Sequence, residues 1–271
     1  NLNNEQKMAL KFLNLKNNKF DVSVLQGTTG SGKTLVYFER IRRIISENKQ
    51  ALVLLPEIFL TNDFKVRFEE YFGFEPAVWH SKITPKQKRI IWKGIINNKI
   101  KIIVGARSAL LLPFKKLGVI IVDEEHDASY KQDEGVIYNA RDMAISRASF
   151  EKIPILLVTS VPSIETYNNI HKKKYRHVKI LKRFNDNPLP DTKIINLNIN
   201  KINNKFISNI TTDLVKEYLH KGDQVLFFLN RRGYAPYLIC KKCGLKQACS
   251  NCSLYLTFHK LKNKAICHHC S

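Results

Sequence analysis

The sequence contains no apolar run long enough to span a membrane, and its N-terminal residues show no signal-peptide pattern. These absences argue against a membrane partner and predict a cytoplasmic protein. Residue 1 is Asn rather than Met, so we expect the chain to be part of a longer protein. With 271 residues, of which 44% are hydrophobic, the chain is long and apolar enough for two small globular domains.

Acidic residues are scarce, because 23 Asp and Glu residues stand against 45 Lys and Arg residues and give a formal net charge of +22. A chain this basic is typical of proteins that bind a polyanion such as nucleic acid. The composition is also rich in Lys, Asn and Ile together, which AT-biased coding would produce as well. The charge therefore supports a nucleic-acid partner but does not establish one.

Cysteine is missing from the first 239 residues, and all six cysteines fall within residues 240–270. They form three Cys-x-x-Cys pairs: Cys240 with Cys243, Cys249 with Cys252, and Cys267 with Cys270. Each pair places two thiolates within reach of one tetrahedral Zn²⁺. In a chain without a signal peptide, such pairs favour metal binding over disulfides. Six thiolates complete one four-cysteine site and leave one pair over; the alternatives are buried free thiols and substitute ligands at His259, His268 and His269.

A glycine-rich stretch at residues 27–34 matches the phosphate-binding loop pattern G-x-x-x-x-G-K-[ST]. Its members are Gly27, Thr28, Thr29, Gly30, Ser31, Gly32, Lys33 and Thr34. Glycines let the backbone bring its N–H groups close to phosphate oxygens, and a helix that begins at Lys33 adds a partial positive charge. We expect Lys33 to reach the β- and γ-phosphates of ATP and Thr34 to ligate Mg²⁺. Upstream, Gln6 is either a contact for an adenine edge or an ordinary surface residue.

Apolar strands and helices alternate after this loop. The predicted strands cover residues 22–26, 51–55, 77–80, 101–104, 118–122 and 155–158, and the predicted helices cover residues 3–17, 58–71, 85–97 and 140–150. Strands that are apolar on both faces and separated by helices predict an α/β fold with a parallel sheet covered on both sides. Its ligand site is then expected at the carboxyl ends of the strands.

The polar sequence Asp-Glu-Glu-His at residues 123–126 directly follows the predicted strand 118–122. Asp123 suits coordination of Mg²⁺, and Glu124 suits positioning or activation of a water molecule for phosphoryl transfer. Glu125 and His126 complete the motif. Alone, the motif could also be an acidic helix start stabilised by the helix dipole. Together with a phosphate-binding loop on a strand expected to be its neighbour, it indicates nucleotide hydrolysis.

The two motifs resemble motifs I and II of superfamily 2 helicases. Within this superfamily, the chain resembles the PriA family of bacterial primosomal replication-restart helicases. The residues that carry this closer resemblance are 127–132, 138–142 and 230–236, together with the cysteine pairs that follow them. This resemblance covers nearly the whole chain. It implies an ATP-dependent 3′→5′ DNA helicase that acts at stalled forks and restarts replication through primosome assembly. The partners it implies are forked and single-stranded DNA, primosome proteins and single-strand-binding protein.

The resemblance also suggests DNA contacts, because residues 55–61 and 105–108 are similar to motifs Ia and Ib, which line the single-strand track in such enzymes. The candidates are Thr61, Arg107, Ser108, Tyr130, Arg231 and Arg232; arginines and hydroxyls hold phosphates, and Tyr130 and Tyr138 offer stacking faces.

Two residues depart from the family pattern. Val161 replaces a hydroxyl residue of motif III, the motif that couples hydrolysis to DNA movement in such enzymes, so the resemblance implies less efficient coupling here. Val136 stands where Trp is frequent, which weakens the DNA-sensing loop.

The residue pattern, which loosens near residues 175–190, and the family resemblance together divide the chain into four parts. A first RecA-like lobe that binds ATP is predicted for residues 1–174, a linker for 175–206, the start of a second α/β lobe for 207–235, and a zinc-binding segment for 236–271. The second lobe is expected to begin with a helix at about residues 207–220 and a strand at residues 224–229. In the family, eight cysteines bind two structural zinc ions. By that pattern Cys249, Cys252, Cys267 and Cys270 complete one site here, and Cys240 and Cys243 belong to the other.

The family's N-terminal DNA-binding domain and its motifs V and VI, which include an arginine finger, have no counterpart in these 271 residues. We therefore expect a fragment that hydrolyses ATP slowly, if at all. Two other functions stay open. A double-strand DNA translocase would share the first two motifs, and a non-catalytic DNA- or primosome-binding remnant would tolerate the change at Val161.

Overall fold

The computed structural model describes residues 2–15, 19–56, 62–132, 136–183, 190–196, 207–228, 238–240, 242–250, 255–259 and 264–267. The chain forms two compact units, Asn1–Pro190 and Asp191–Ser271. Within the described ranges, no helix combines the length and the hydropathy needed to cross a membrane.

The first unit is a parallel sheet with helices on both faces. Its strands are β1 (Asp21–Gly27), β2 (Gln50–Leu54), β3 (Ala77–Trp79), β4 (Ile102–Gly105) and β5 (Leu117–Val122), then the short hairpin β6 (Lys131–Gln132) and β7 (Tyr138–Asn139), then β8 (Pro154–Thr159) and β9 (Arg176–Ile180). Its helices are α1 (Asn4–Asn14), α2 (Lys33–Ser46), α3 (Asn62–Phe72), α4 (Pro85–Ile96), α5 (Ala140–Phe150) and α6 (Ile164–His171). The seven-stranded sheet has the order β3-β4-β2-β5-β8-β1-β9, and every pairing in it is parallel.

The central strands are buried along their whole length, as the continuous apolar runs predicted. All residues of β2, β5 and β8 are buried. Successive side chains of a strand enter opposite faces of the sheet: Val53 packs in the cluster that includes residues of α1, α2 and α3, and Leu52 packs in the cluster that includes residues of α4 and α5. The predicted parallel sheet with two covered faces is therefore confirmed.

Local sequence signals explain where several helices begin. Asn3 and Gln6 form a capping box at the start of α1, and Thr84 and Gln87 form one at the start of α4. Ser163 caps α6 by accepting a hydrogen bond from the Thr166 N–H. These caps fix the chain positions at which helices leave the sheet.

The strand order corrects one expectation. The strand that ends in the phosphate-binding loop, β1, and the strand that ends before Asp123, β5, are not neighbours, because β8 lies between them. The carboxyl ends of all three strands still point the same way, since the strands are parallel. The two motifs therefore lie on the same edge of the sheet, with Thr159 at the end of β8 between them.

The first lobe extends beyond residue 174, the end that the sequence analysis predicts for it. β9 pairs with β1 over five residues, although residues 175–206 were expected to be a linker. Helix α6 was also missed, since its eight residues are too few for a helical periodicity to be recognised in the sequence. The predicted helix at residues 58–71 is present as α3 from Asn62 onward; residues 57–61 lie outside the described part of the chain.

The second unit contains α7 (Asn209–His220) and the antiparallel hairpin of β10 (Thr257–His259) and β11 (Lys264–Ile266). The predicted helix near residues 207–220 corresponds to α7. The predicted strand 224–229 is not paired over its described residues, 224–228. Side chains of that stretch are largely exposed, with Leu226 at 90% and Phe228 at 80%.

Candidate functional site

The phosphate-binding loop needs glycine at three positions for different reasons. Gly30 and Gly32 have φ angles of +80° and +77°, in the left-handed region that favours glycine. A Cβ at Gly27 would lie 2.5 Å from Ser31 Oγ, and a Cβ at Gly32 would lie 2.3 Å from Gln6 Nε2. A Cβ at Gly30 would meet nothing within 4 Å. The loop is therefore tightly packed on its inner side and open at Gly30, a shape that accommodates a phosphate group.

Lys33 is the first residue of α2 and is 9% exposed. Its ammonium group donates to Gly27 O at 2.8 Å and to Thr28 O at 3.3 Å. The cation is thereby held inside the loop, next to the N–H groups at the start of α2. A fixed cation beside a helix N-terminus favours a bound phosphate, so the residues present fit a nucleoside triphosphate.

Gln6 supports the loop from α1. Its Nε2 donates to Ser31 O at 2.9 Å, its Oε1 accepts from Asn3 N at 2.9 Å, and the residue is fully buried. Both polar atoms of the amide are therefore occupied by backbone groups. Gln6 is neither a surface residue nor a free adenine contact, and its role is to position the loop.

The carboxylate of Asp123 lies at the end of β5 and is held by two donors. Tyr37 Oη donates to Oδ2, and the Glu124 N–H donates to Oδ1, both at 3.0 Å. Burial, together with the negative charge of Glu124, raises the pKa of Asp123 to about 6. Because the ionised form of this carboxylate is destabilised, a cation bound next to it would stabilise it.

One cleft of about 560 Å³ contains both motifs, and Lys33, Thr34, Asp123 and Glu124 line it. Thr29, Gly30 and Gly32 belong to the same lining. The structure thus brings together the residues predicted to hold phosphate, Mg²⁺ and water, although their strands are not neighbours. We call this space the phosphate-loop cleft.

Glu124 has a φ angle of +48°, a conformation that costs a non-glycine residue free energy. Its carbonyl accepts from the Asp127 N–H at 2.8 Å, and its Oε2 lies 3.7 Å from His126 Nδ1. The surrounding chain therefore holds Glu124 in a conformation that turns the backbone directly after Asp123. Strain of this kind is concentrated at functional sites in proteins.

His126 connects the Asp-Glu-Glu-His motif to the end of β8. Its Nδ1 lies 2.8 Å from Thr159 Oγ1, and Thr159 Oγ1 donates to Val161 O at 2.8 Å. Because a hydroxyl has one proton, His126 must carry its hydrogen on Nδ1. The connection uses the backbone of Val161, so the missing hydroxyl at this position does not remove it.

Glu125 is a site residue whose surroundings sequence reasoning did not foresee. It is 2% exposed, and its Oε2 accepts from Arg141, Ser163 Oγ and Thr166 Oγ1 at 2.9–3.2 Å. Its Oε1 accepts from Ser163 N at 2.8 Å. Glu125 thus joins the end of β5 to α5 and to the start of α6. In the sequence, only the presence of an Arg and a helix-capping Ser further along the chain could have indicated partners for Glu125. Without the fold, such a pattern does not show that these residues meet.

The predicted stacking role of Tyr130 is wrong. The residue is 1% exposed, and its hydroxyl oxygen lies 2.9 Å from Leu54 O and 2.6 Å from Asp123 O, within hydrogen-bond distance of both carbonyls. Its ring is therefore unavailable to a base, and its hydroxyl ties the ends of β2 and β5 together. Tyr138 is half-buried, and Val136 is exposed.

The other DNA-contact candidates are only partly described. Arg107 begins a 3₁₀ turn after β4 and donates to Lys131 O at 2.7 Å, and Ser108 beside it is exposed. Thr61, Arg231 and Arg232 lie outside the described residues, so their predicted roles stay predictions.

The cysteine segment shows one ordered turn. The Cys240 N–H donates to Leu245 O at 2.8 Å, the Gly244 N–H donates to Cys240 O at 2.9 Å, and Gly244 has a φ angle of +72°. Backbone N–H groups of Lys242 and Cys243 point to the Cys240 thiol and lower its pKa. Across the described ranges, no three Cys, His, Asp or Glu side chains cluster as a metal site; Cys252, Cys270, His268 and His269 fall outside those ranges. Cys249 is half-buried, and Cys267 is buried.

A parallel sheet with a Gly-Lys-Thr loop after one strand and an Asp-Glu pair after another, both lining one cleft, defines a P-loop nucleotide-binding lobe of the RecA-like type. The family model described as "DEAD/DEAH box helicase" matches residues 3–170. The chain therefore belongs to the DEAD/DEAH box helicase family.

Curated relatives carry the name "Replication restart protein PriA". The chain is 47% identical to that of Rickettsia felis over 270 residues, 41% identical to that of Haemophilus influenzae over 269, and 35% identical to that of Bacillus subtilis over 273. Each match covers 99% of this chain and 41%, 37% and 34% of the respective relative. The chain thus spans about two-fifths or less of their length.

Solved structures support the same fold. RecG bound to a three-way DNA junction matches with a TM-score of 0.50 and 23% identity, over 67% of this chain and 24% of that one. The DUF1998 helicase MrfA matches with a TM-score of 0.52 and 17% identity, over 86% and 36% of the two chains. At these identities the likeness concerns the fold.

Proposed function

We propose that this chain is the ATP-hydrolysing part of a replication-restart DNA helicase. The observation that carries the proposal is that Lys33, Thr34, Asp123 and Glu124 line one cleft. The names of the relatives, and the sequence identity to them over 99% of the chain, support a role in replication restart. Forked and single-stranded DNA are the proposed substrates, and primosome proteins and single-strand-binding protein are the proposed partners.

Each residue of the cleft has a proposed role in phosphoryl transfer. The loop N–H groups and Lys33 hold the phosphates, Thr34 Oγ1 and Asp123 hold Mg²⁺, and Glu124 accepts a proton from the attacking water. Mg²⁺, when bound, supplies charge stabilisation at the phosphoryl oxygens. Tyr37 keeps the Asp123 carboxylate in place through its hydrogen bond to Oδ2.

The helicase proposal is tested with the longer protein that would contain this chain. ATP hydrolysis is measured with and without forked DNA, and strand displacement is measured on substrates with a 3′ or a 5′ single-stranded arm. DNA-stimulated hydrolysis with displacement from the 3′ arm is the expected result. Translocation without displacement would favour a double-strand translocase, and the absence of Mg²⁺-dependent ATP binding would favour a non-catalytic remnant.

Binding of Mg²⁺ with nucleotide should weaken below a pH of about 6. The pKa of Asp123 is about 6, and only the ionised carboxylate binds Mg²⁺, so each pH unit below that value should cost up to about tenfold in Mg²⁺-dependent affinity. In the absence of Mg²⁺, the stabilising contribution of this group is fully present below its unfolded pKa and is lost as the pH rises through about 6.

The measurement is the affinity for AMP-PNP between pH 5 and 8, with Mg²⁺ and with EDTA at each pH. The EDTA series corrects for protonation of the nucleotide itself. Asp123→Asn should show no gain from Mg²⁺ at any pH. A gain from Mg²⁺ that is equal at pH 5 and pH 7 would contradict the proposed coordination by Asp123.

We further propose a structural zinc site in the second unit. The pair Cys240 and Cys243, with its left-handed Gly244 and N–H groups directed at the Cys240 thiol, has the local geometry of a metal-binding knuckle. We take this turn as support for metal binding by the three Cys-x-x-Cys pairs in general, and by the family pattern the other two pairs complete the site in this chain. A closed four-cysteine shell leaves no open position for a substrate, so the metal would stabilise the fold.

We also propose that residues 207–235 begin a second lobe. The exposed apolar side chains of Leu226 and Phe228 support this proposal, because such side chains are normally buried in a core.

The zinc content of the purified 271-residue chain tests the assignment of ligands. We expect about one equivalent of zinc, because four of the six thiolates complete one site. Cys249→Ser should abolish binding, whereas Cys240→Ser should retain it. Equal loss in both variants would contradict the proposed pairing, and zinc-free protein would remove the site.

A further inference from the structure

Helix α3 supplies one side of the phosphate-loop cleft, which no sequence motif indicated. Arg67, Glu70 and Tyr71 of this helix line the cleft together with Lys33 and Thr34. The three residues are spaced three and four positions apart, so they share one face of the helix. The cleft is therefore bounded by α3 as well as by the loop and the Asp-Glu-Glu-His motif.

Aromatic packing fixes α3 against α2. Phe38 of α2 and Phe68 of α3 are both fully buried, and their ring centroids lie 5.6 Å apart. The Phe38 ring also lies 5.3 Å from that of Tyr71. Because Thr34 is one turn before Phe38, and Arg67 directly precedes Phe68, these contacts hold the backbone at Arg67 and the phosphate-binding turn in a fixed relation.

The guanidinium of Arg67 makes no hydrogen bond or ion pair with any residue that the structure describes. Two other helix arginines of the first unit are paired: Arg42 pairs with Glu39 at 3.0 Å, and Arg147 pairs with Glu151 at 2.6 Å. An arginine at a phosphate-binding cleft, with its five donors uncommitted, is suited to bind phosphate oxygens in a bidentate manner.

We propose that Arg67 binds the terminal phosphate of ATP from the α3 side of the cleft. The inference rests on the proposed function, because it requires the triphosphate at Lys33. ADP lacks the group that Arg67 would bind, so this contact distinguishes ATP from ADP.

The test compares affinities for AMP-PNP and ADP, both with Mg²⁺, in the 271-residue chain. Arg67→Ala should weaken AMP-PNP binding by about tenfold, the effect of losing one charge-assisted contact, and leave ADP binding within about twofold. Arg67→Lys should recover part of the loss, because it keeps the charge without the bidentate geometry. Lys65→Ala, at an exposed position of the same helix, is the matched control and should change neither affinity.

Three results would overturn the assignment. Equal weakening of AMP-PNP and ADP would indicate altered packing of α3, unchanged affinities would exclude the contact, and a loss confined to single-stranded DNA binding would make Arg67 a DNA contact. Lys33→Ala, measured in parallel, separates the two proposals. If the unmodified chain binds AMP-PNP no better than Lys33→Ala, both proposals fail; if binding depends on Lys33 but not on Arg67, only the assignment of Arg67 fails.

Discussion

Glu124→Gln is expected to lower the rate constant of ATP hydrolysis by about 10²- to 10⁴-fold, the usual contribution of a general base. The amide keeps the size of the side chain but cannot accept a proton from water. It leaves Lys33 and Asp123 in place, so the affinity for nucleotide with Mg²⁺ should stay within about twofold. The measurement is DNA-stimulated hydrolysis by the longer protein, together with binding of AMP-PNP.

The matched control for this prediction is Glu69→Gln, an exposed position of α3 that does not line the cleft. It should hydrolyse ATP at the unmodified rate. Hydrolysis at that same rate in Glu124→Gln would exclude Glu124 as the base. A loss of nucleotide affinity equal to the loss of rate would instead indicate that the substitution disturbs the cleft.

Glu125→Ala should lower the free energy of unfolding of the first unit by about 3 kcal/mol, because removal of one partner leaves a buried charge uncompensated. Arg141 is 7% exposed at its side chain and lies 3.2 Å from Glu125 Oε2. Its remaining ion pair with Asp142, at 2.8 Å, keeps the loss near the lower end of the range for buried pairs. Ser163 and Thr166 lose their acceptor as well.

Urea unfolding of the chain, followed by a signal from the first unit, measures this effect. Glu125→Gln keeps an acceptor oxygen and should lose less than Glu125→Ala. Glu165→Ala is the control, since Glu165 is 71% exposed and lies 3.8 Å from Arg141, a geometry that contributes little. A loss of less than about 1 kcal/mol in Glu125→Ala would show that the carboxylate is not needed to hold α5 and α6.

The sheet and its site edge could be predicted because each strand carries its own signal. β5 and residues 51–54 of β2 are apolar at every position. The phosphate-binding loop begins at the last residue of β1, and the Asp-Glu-Glu-His motif begins directly after β5. The order of strands has no such local signal. β8 follows β5 in the chain but lies between β5 and β1, and this depends on pairing between residues more than 130 positions apart, such as Val22 and Ile155.

Burial of polar side chains was the main source of error at the site. Tyr130 stands in a polar stretch, and only the fold shows that carbonyls of Leu54 and Asp123 surround its hydroxyl. The capping role of Gln6 could have been predicted, because Asn3 and Gln6 have the spacing of a capping box. Its second contact, the hydrogen bond to Ser31 O 25 positions away, has no signal in the sequence.

The unfavourable backbone angle at Glu124 has a consequence for the engineering of this protein. Selection for heat resistance alone would favour glycine there, because glycine adopts φ values near +48° without a steric penalty. Such a variant would survive higher temperatures and would lose the carboxylate proposed to act on water. Any thermostable variant of this lobe should therefore be sequenced at codon 124 before its turnover is interpreted.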